Sequence, residues 1–84
     1  MYREAVTRPE EIERAIVTAL PGARVRAADT TGAGDHFEVE VVAAQFAGQG
    51  LVEQHRLVYG ALGALMPSIH ALSLRTRPPE EKAG

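Results

Sequence analysis

Eighty-four residues, 45% hydrophobic, 24% charged and without a cysteine, describe one globular domain with a modest core. The missing thiols exclude a disulfide scaffold, a cysteine zinc finger, a Cys-x-x-Cys redox motif and a thiol nucleophile, so any metal must be held by His, Asp or Glu, or by sulfur from a partner. Nine basic residues against eleven acidic ones leave −2. Only Arg24/Arg26 and Arg75/Arg77 form close basic pairs, which disfavours strong non-specific nucleic-acid binding.

The first helix is announced by Thr7-Arg8-Pro9-Glu10, which fits a capping box with Thr7 at the cap and Glu10 reaching back. Ile12, Ala15, Ile16, Ala19 and Leu20 then form one apolar stripe, and Pro21-Gly22 stops the helix. Ala23 to Ala28 reads as a short strand and Asp29 to Asp35 as a loop, with Gly32 and Gly34 free to take positive φ. His36 to Ala44 is the clearest strand: Phe37, Val39 and Val41 alternate with His36, Glu38 and Glu40. A glycine-bearing loop, Phe46 to Gly50, leads to a second helix whose wheel gathers Leu51, His55, Val58, Tyr59, Leu62, Leu65 and Met66. Gly60 and Gly63 each cost that helix roughly 1 kcal/mol relative to alanine, and Pro67-Ser68 ends it. Ile69 to Thr76 is the last strand, with Leu72 and Leu74 on one face and Ile69, Ala71 and Ser73 on the other. Residues 78–84 carry two prolines and three charges and read as a frayed tail behind a single domain over residues 1–77.

Helix, strand, strand, helix, strand predicts an α+β two-layer sandwich: a three-stranded mixed sheet covered on one face, with a parallel crossover through the second helix. No apolar run reaches membrane-spanning length and no hydrophobic leader opens the chain, so a cytoplasmic location is expected.

With no cysteine, chemical interest falls on three histidines. Strand parity places His70 with Leu72 and Leu74, at the mouth of the core, where it reads as a core-edge imidazole or a ligand. Parity aims His36 at the opposite sheet face, with Glu38 and Glu40, as a solvated residue. His55 reads as packing against the sheet edge. No H-x-x-x-H or E-x-x-H spacing encodes a local metal site. The two serines lie outside any nucleophile elbow, and neither Gly32-x-Gly34 nor Gly48-x-Gly50 is a phosphate-binding fingerprint. A non-enzymatic domain is expected.

His36-Phe37, Phe46-Ala47-Gly48, His55-Arg56-Leu57-Val58-Tyr59 and Ile69-His70-Ala71-Leu72 together resemble the motifs of the BolA family. The layout around them is similar over residues 7–77, and the short loop before His36 is like that of the IbaG branch. The resemblance implies a fold similar to class II KH domains. It implies pairing with a monothiol CGFS glutaredoxin and glutathione around a shared [2Fe-2S] cluster, to which the BolA protein gives the His of its Ile/Val-His-Ala motif and one loop residue. By that carry-over His70 is a ligand. The loop position where many relatives place a cysteine is Ala33 here, which leaves His36 as the nearest candidate for the second ligand. Asp29 and Asp35 are oxygen donors that suit iron–sulfur iron poorly. The alternative implied function is a DNA-binding regulator, whose KH-like surface would use Gly48, Gln49 and Gly50 with Arg56, Arg75 and Arg77. Oligomeric state stays open, monomer or homodimer.

Overall fold

The computed structural model describes residues 7–80. Helix α1 spans Pro9–Ala19, strand β1 Arg24–Asp29, strand β2 His36–Val42, helix α2 Leu51–Leu62 and strand β3 Ala71–Arg77. Short 3-10 turns, Ala44–Phe46 and Gly63–Ser68, flank α2. The sheet order is β1-β2-β3. β1 runs antiparallel to β2, with Arg24 opposite Val42 and Asp29 opposite Phe37. β2 and β3 are parallel, with His36 opposite Ala71 and Val42 opposite Arg77. The expected α+β architecture and the crossover through α2 are both present. Residues 78–80 carry no regular structure; the remainder of the expected tail, residues 81–84, lies outside the described residues.

Helix α1 begins one residue later than the sequence suggests. Arg8 is its cap and Pro9 its first residue, where a fixed φ and a missing N–H do no harm. The reciprocal bond runs from the Arg8 N–H to the Glu11 carboxylate at 2.9 Å, not from Glu10. Thr7 is drawn elsewhere: it is buried, and its hydroxyl bonds the Ser68 hydroxyl. Ser68 Oγ itself donates to the Leu65 carbonyl at 2.9 Å, so Thr7 supplies the proton of the pair. Ile12, Ile16 and Leu20 are buried as the stripe predicts, while Ala19 is exposed. On the sheet side of α1, Glu13 Oε2 accepts the Ala27 N–H at 3.0 Å. That contact satisfies a donor on the outer edge of β1 and ties helix to strand.

The core face of the sheet is built on Phe37, Val39 and Val41, joined by Ala43, Phe46, Val58, Leu62 and Ile69. Helix α2 is rotated relative to the apolar wheel. Its buried line is Gln54, Val58 and Leu62, whereas Leu51 and Tyr59 are 60% and 42% exposed. A glutamine can occupy the inner line because both ends of its amide are partnered. Oε1 accepts from Thr76 Oγ1 at 2.7 Å, and Nε2 donates to the Gln49 carbonyl at 2.9 Å. The helix also ends earlier than Pro67. Gly63 takes φ +34° and closes α2 by donating its N–H to the Tyr59 carbonyl.

Strand β2 stops at Val42 rather than Ala44: Ala43 keeps an extended backbone and stays buried on the core face, and the chain enters the 3-10 turn at Ala44. Strand β3 starts two residues later than expected, and side-chain alternation breaks just before it. Ile69 is buried in the same core that Leu72 and Leu74 pack against, although an odd separation should place Ile69 on the other face. The cause is a bend at His70: the successive N–H groups of His70 and Ala71 both donate to the Asp35 carbonyl, at 2.8 and 3.0 Å. Two consecutive amides of a regular strand point to opposite edges, so sharing one acceptor resets the phase.

Candidate functional site

The site lies where the β1–β2 loop meets the entrance to β3. Asp29, the last residue of β1, organises the loop. Its Oδ1 accepts the Thr31 and Gly32 N–H groups at 3.1 and 2.8 Å, and its Oδ2 accepts that of Gly34 at 2.8 Å. Gly32 and Gly34 stand at φ +81° and +78°, a conformation that other residues adopt only with strain. Thr30 closes the loop, donating its N–H to the His36 carbonyl at 2.9 Å. Asp29 is thus an internal scaffold, with its carboxylate already engaged.

At the other end of the loop, Asp35 faces two ways. Its carbonyl receives the His70 and Ala71 amides. Its carboxylate Oδ1 accepts Thr31 Oγ1 at 3.1 Å and bonds His36 Nδ1 at 2.8 Å. The hydrogen bond from His36 is the largest influence on the Asp35 carboxyl and holds it below its ordinary value of 3.8. Burial opposes that shift, while the Thr31 hydroxyl and the charge of His36 add to it.

The rings of His36 and His70 stand 5.3 Å apart between centroids, inclined at 59°. Parity had set them on opposite sheet faces. The bend that moves Ile69 into the core turns His70 outward, where it is exposed, beside the half-exposed His36. In the neutral form of His36, with Nδ1–H committed to the Asp35 carboxylate, the Nε2 lone pair is free for a ligand, and that bond orients the ring. Two imidazoles bound to one tetrahedral ion have centroids about 5 Å apart, so the observed spacing suits a shared metal. Among the described residues no group of three or more His, Cys, Asp and Glu side chains could hold a metal ion. Two donors make half a coordination shell. Ala33, exposed in the loop, brings no third.

The residues of the implied nucleic-acid surface are not gathered in one place. Gly48, at φ +79°, and Gln49 form the turn before α2, and Gly50 caps that helix. Arg56 lies on exposed α2 near Glu53, with 3.8 Å between their charged atoms. Arg75 and Arg77 project from the opposite, helix-free face of the sheet, in register with Glu40 and Val42. His55, half-buried, has its Nε2 shut away from solvent without a partner, and its ring lies edge-on to Tyr59 at 6.4 Å.

An antiparallel hairpin, a parallel crossover over one sheet face and an imidazole pair at the entrance of the last strand define a small α+β domain of BolA type. The sequence matches the BolA-like protein family over residues 14–81, and the chain belongs to the BolA family. It is 42% identical over 67 residues to Protein BOLA2 of Arabidopsis thaliana, covering 79% of this chain and 72% of that protein. A Bol-like protein from Babesia bovis superposes with a TM-score of 0.81 at 28% identity, over 92% of this chain and 91% of that one. A BolA protein homologue from Coxiella burnetii gives a TM-score of 0.74 at 45% identity, over 88% and 94% of the two chains. Among the described residues no helix is long and apolar enough to cross a membrane.

Proposed function

We propose that the protein is a non-enzymatic adaptor that pairs with a monothiol CGFS glutaredoxin and shares a [2Fe-2S] cluster with it, in iron–sulfur trafficking or iron homeostasis. The single observation that carries this reading is the His36–His70 pair: two imidazoles at a spacing suited to one metal, with no third side chain among the described residues completing a metal-binding group with them. Such a half-shell suits a group completed by another molecule, and the glutaredoxin with glutathione would bring the thiolates that this chain lacks. His70 and His36 would be the ligands on this side, His36 through Nε2. Imidazole in place of thiolate on one iron raises the potential of a cluster, which is the chemistry the chain would contribute. Asp35 fixes the His36 ring and anchors the backbone of His70 at once, so both ligands hang on one residue.

Anaerobic reconstitution with a monothiol glutaredoxin and glutathione tests this directly. The visible absorption and circular dichroism of the mixture should differ from those of cluster-loaded glutaredoxin alone, and His70→Ala should return them to the glutaredoxin-only form. Identical spectra and cluster lability with and without this chain, together with an inert His70→Ala, would overturn the reading.

A further inference from the structure

The helix-free face of the sheet has a charge pattern that the imidazole pair does not explain. Its rows follow from strand register. Arg26, Glu40 and Arg75 lie side by side across the three strands, and the next row is Arg24, Val42 and Arg77. In the other direction come Ala28, Glu38 and Ser73, and then His36 beside Ala71. Four arginines and two glutamates give this face +2 in a chain of net charge −2, which leaves −4 for everything else. All four arginines are exposed. Neighbouring strands are about 4.8 Å apart and alternate residues about 7 Å apart, so the four form one compact block. Glu40 engages Arg77 at 3.6 Å; among the described residues Arg24, Arg26 and Arg75 have no carboxylate in ion-pair range. Shallow clefts run across these rows, one between Arg26, Glu40 and Arg75 and one between Arg24, Glu40 and Arg77.

We infer that this face is the docking surface for the protein that completes the half-shell, and that the partner presents carboxylates to the arginine block; the inference rests on the adaptor reading above. Continuity supports it. His36 is the end residue of the same face, about 13 Å along β2 from Glu40, so a molecule that reaches the imidazoles from the solvent side lies over the face. The mixed pattern favours a protein over a nucleic acid. Glu38 and Glu40 occupy the middle strand and would repel a uniformly charged phosphate backbone, and no Phe, Tyr or Trp on the face offers a base a stacking platform. A protein surface can place acids against the arginines and a base against Glu38. Such complementarity sets orientation and encounter rate, turning the partner so that its thiolates meet His36 and His70.

The test uses cluster-free monothiol glutaredoxin as probe, with calorimetry and amide shift mapping on the isotopically labelled chain. Shifts should concentrate on residues 24–26 and 75–77, and binding should weaken as salt rises from about 50 to 300 mM. Arg24→Glu with Arg77→Glu should weaken binding by about tenfold or more. The milder Arg24→Gln with Arg77→Gln should fall between, and His70→Ala should leave docking intact. Amide dispersion of each variant confirms its fold. Unchanged affinity in the reversal variants, shifts confined to the helices, or an arginine block that instead captures duplex DNA or a second copy of this chain would overturn the docking surface. The adaptor reading fails separately, when the cluster spectrum of the mixture is indifferent to His70→Ala. If the native chain does not bind the glutaredoxin at all, both fall.

Discussion

At the residue scale, Asp35 is the hinge of the site. Sequence reasoning sets it aside as a poor ligand for iron, and by donor type that is sound. Its role in the structure is to orient: one residue accepts both strand-entry amides through its carbonyl and the His36 ring through its carboxylate. An Asp-His dipeptide after a glycine loop is too common to announce this. Asp35→Asn keeps a hydrogen-bond acceptor but removes the charge. It should weaken cluster retention in the complex while leaving the fold intact, read as faster bleaching of the visible spectrum. The lowered Asp35 titration gives a second prediction with a definite sign. A carboxyl whose folded value lies below 3.8 contributes stability that is fully present above that pH and is lost as pH falls below it through the folded value. Urea titrations of native and Asp35→Asn protein should therefore differ at neutral pH and converge in acid. The side chain is 43% exposed, so the difference is small.

At the element scale, what hydrophobic periodicity reveals and what it misses both lie in α2. Helix α1 and strand β2 are legible, since Ile12-Ile16-Leu20 and Phe37-Val39-Val41 are apolar at the right period and are buried. In α2 the inner line begins with Gln54, which a hydrophobicity wheel counts as solvent-facing. Only the hydroxyl of Thr76 and the carbonyl of Gln49, 22 and 5 residues away, make it an inner residue. Gln54→Ala should cost about 1–3 kcal/mol in chemical denaturation, because it strips partners from a buried polar network. The two glycines of this segment should respond in opposite directions. Gly60 sits inside the helix with nothing within 4 Å of where a Cβ would lie, so Gly60→Ala should stabilise by about 1 kcal/mol. Gly63, at φ +34°, ends the helix in a conformation costly to L-residues, so Gly63→Ala should destabilise by about 1 kcal/mol. Thermal melts of the pair would show one curve moving up by several degrees and the other down. His70 shows the same limit of pattern reading: parity holds within β3 but not across the shared Asp35 acceptor.

At the scale of the whole molecule, the proposed adaptor role would divide one coordination shell between two chains. Neither the absence of cysteine nor the two-donor site is a deficiency in that setting, because the partner would bring the other ligands. The division has a thermodynamic consequence. A group bound by the folded chain and not by the unfolded one stabilises the fold by mass action, about 2.7 kcal/mol when the free complex-forming partner is at a hundred times its dissociation constant. That corresponds to roughly hundredfold slower exchange at amides that open only by global unfolding. The central strand β2, hydrogen-bonded on both sides, should contain such amides. With the chain isotopically labelled and cluster-loaded glutaredoxin in excess, exchange of the Val39 and Val41 amides should slow by about that factor. His70→Ala should keep only the smaller part that comes from docking, and the Arg24→Glu/Arg77→Glu variant should lose both parts at the same partner concentration. Equal protection in the native chain and in His70→Ala would mean that the cluster adds nothing to the grip between the chains, and that His70 is a strand-entry residue rather than a ligand.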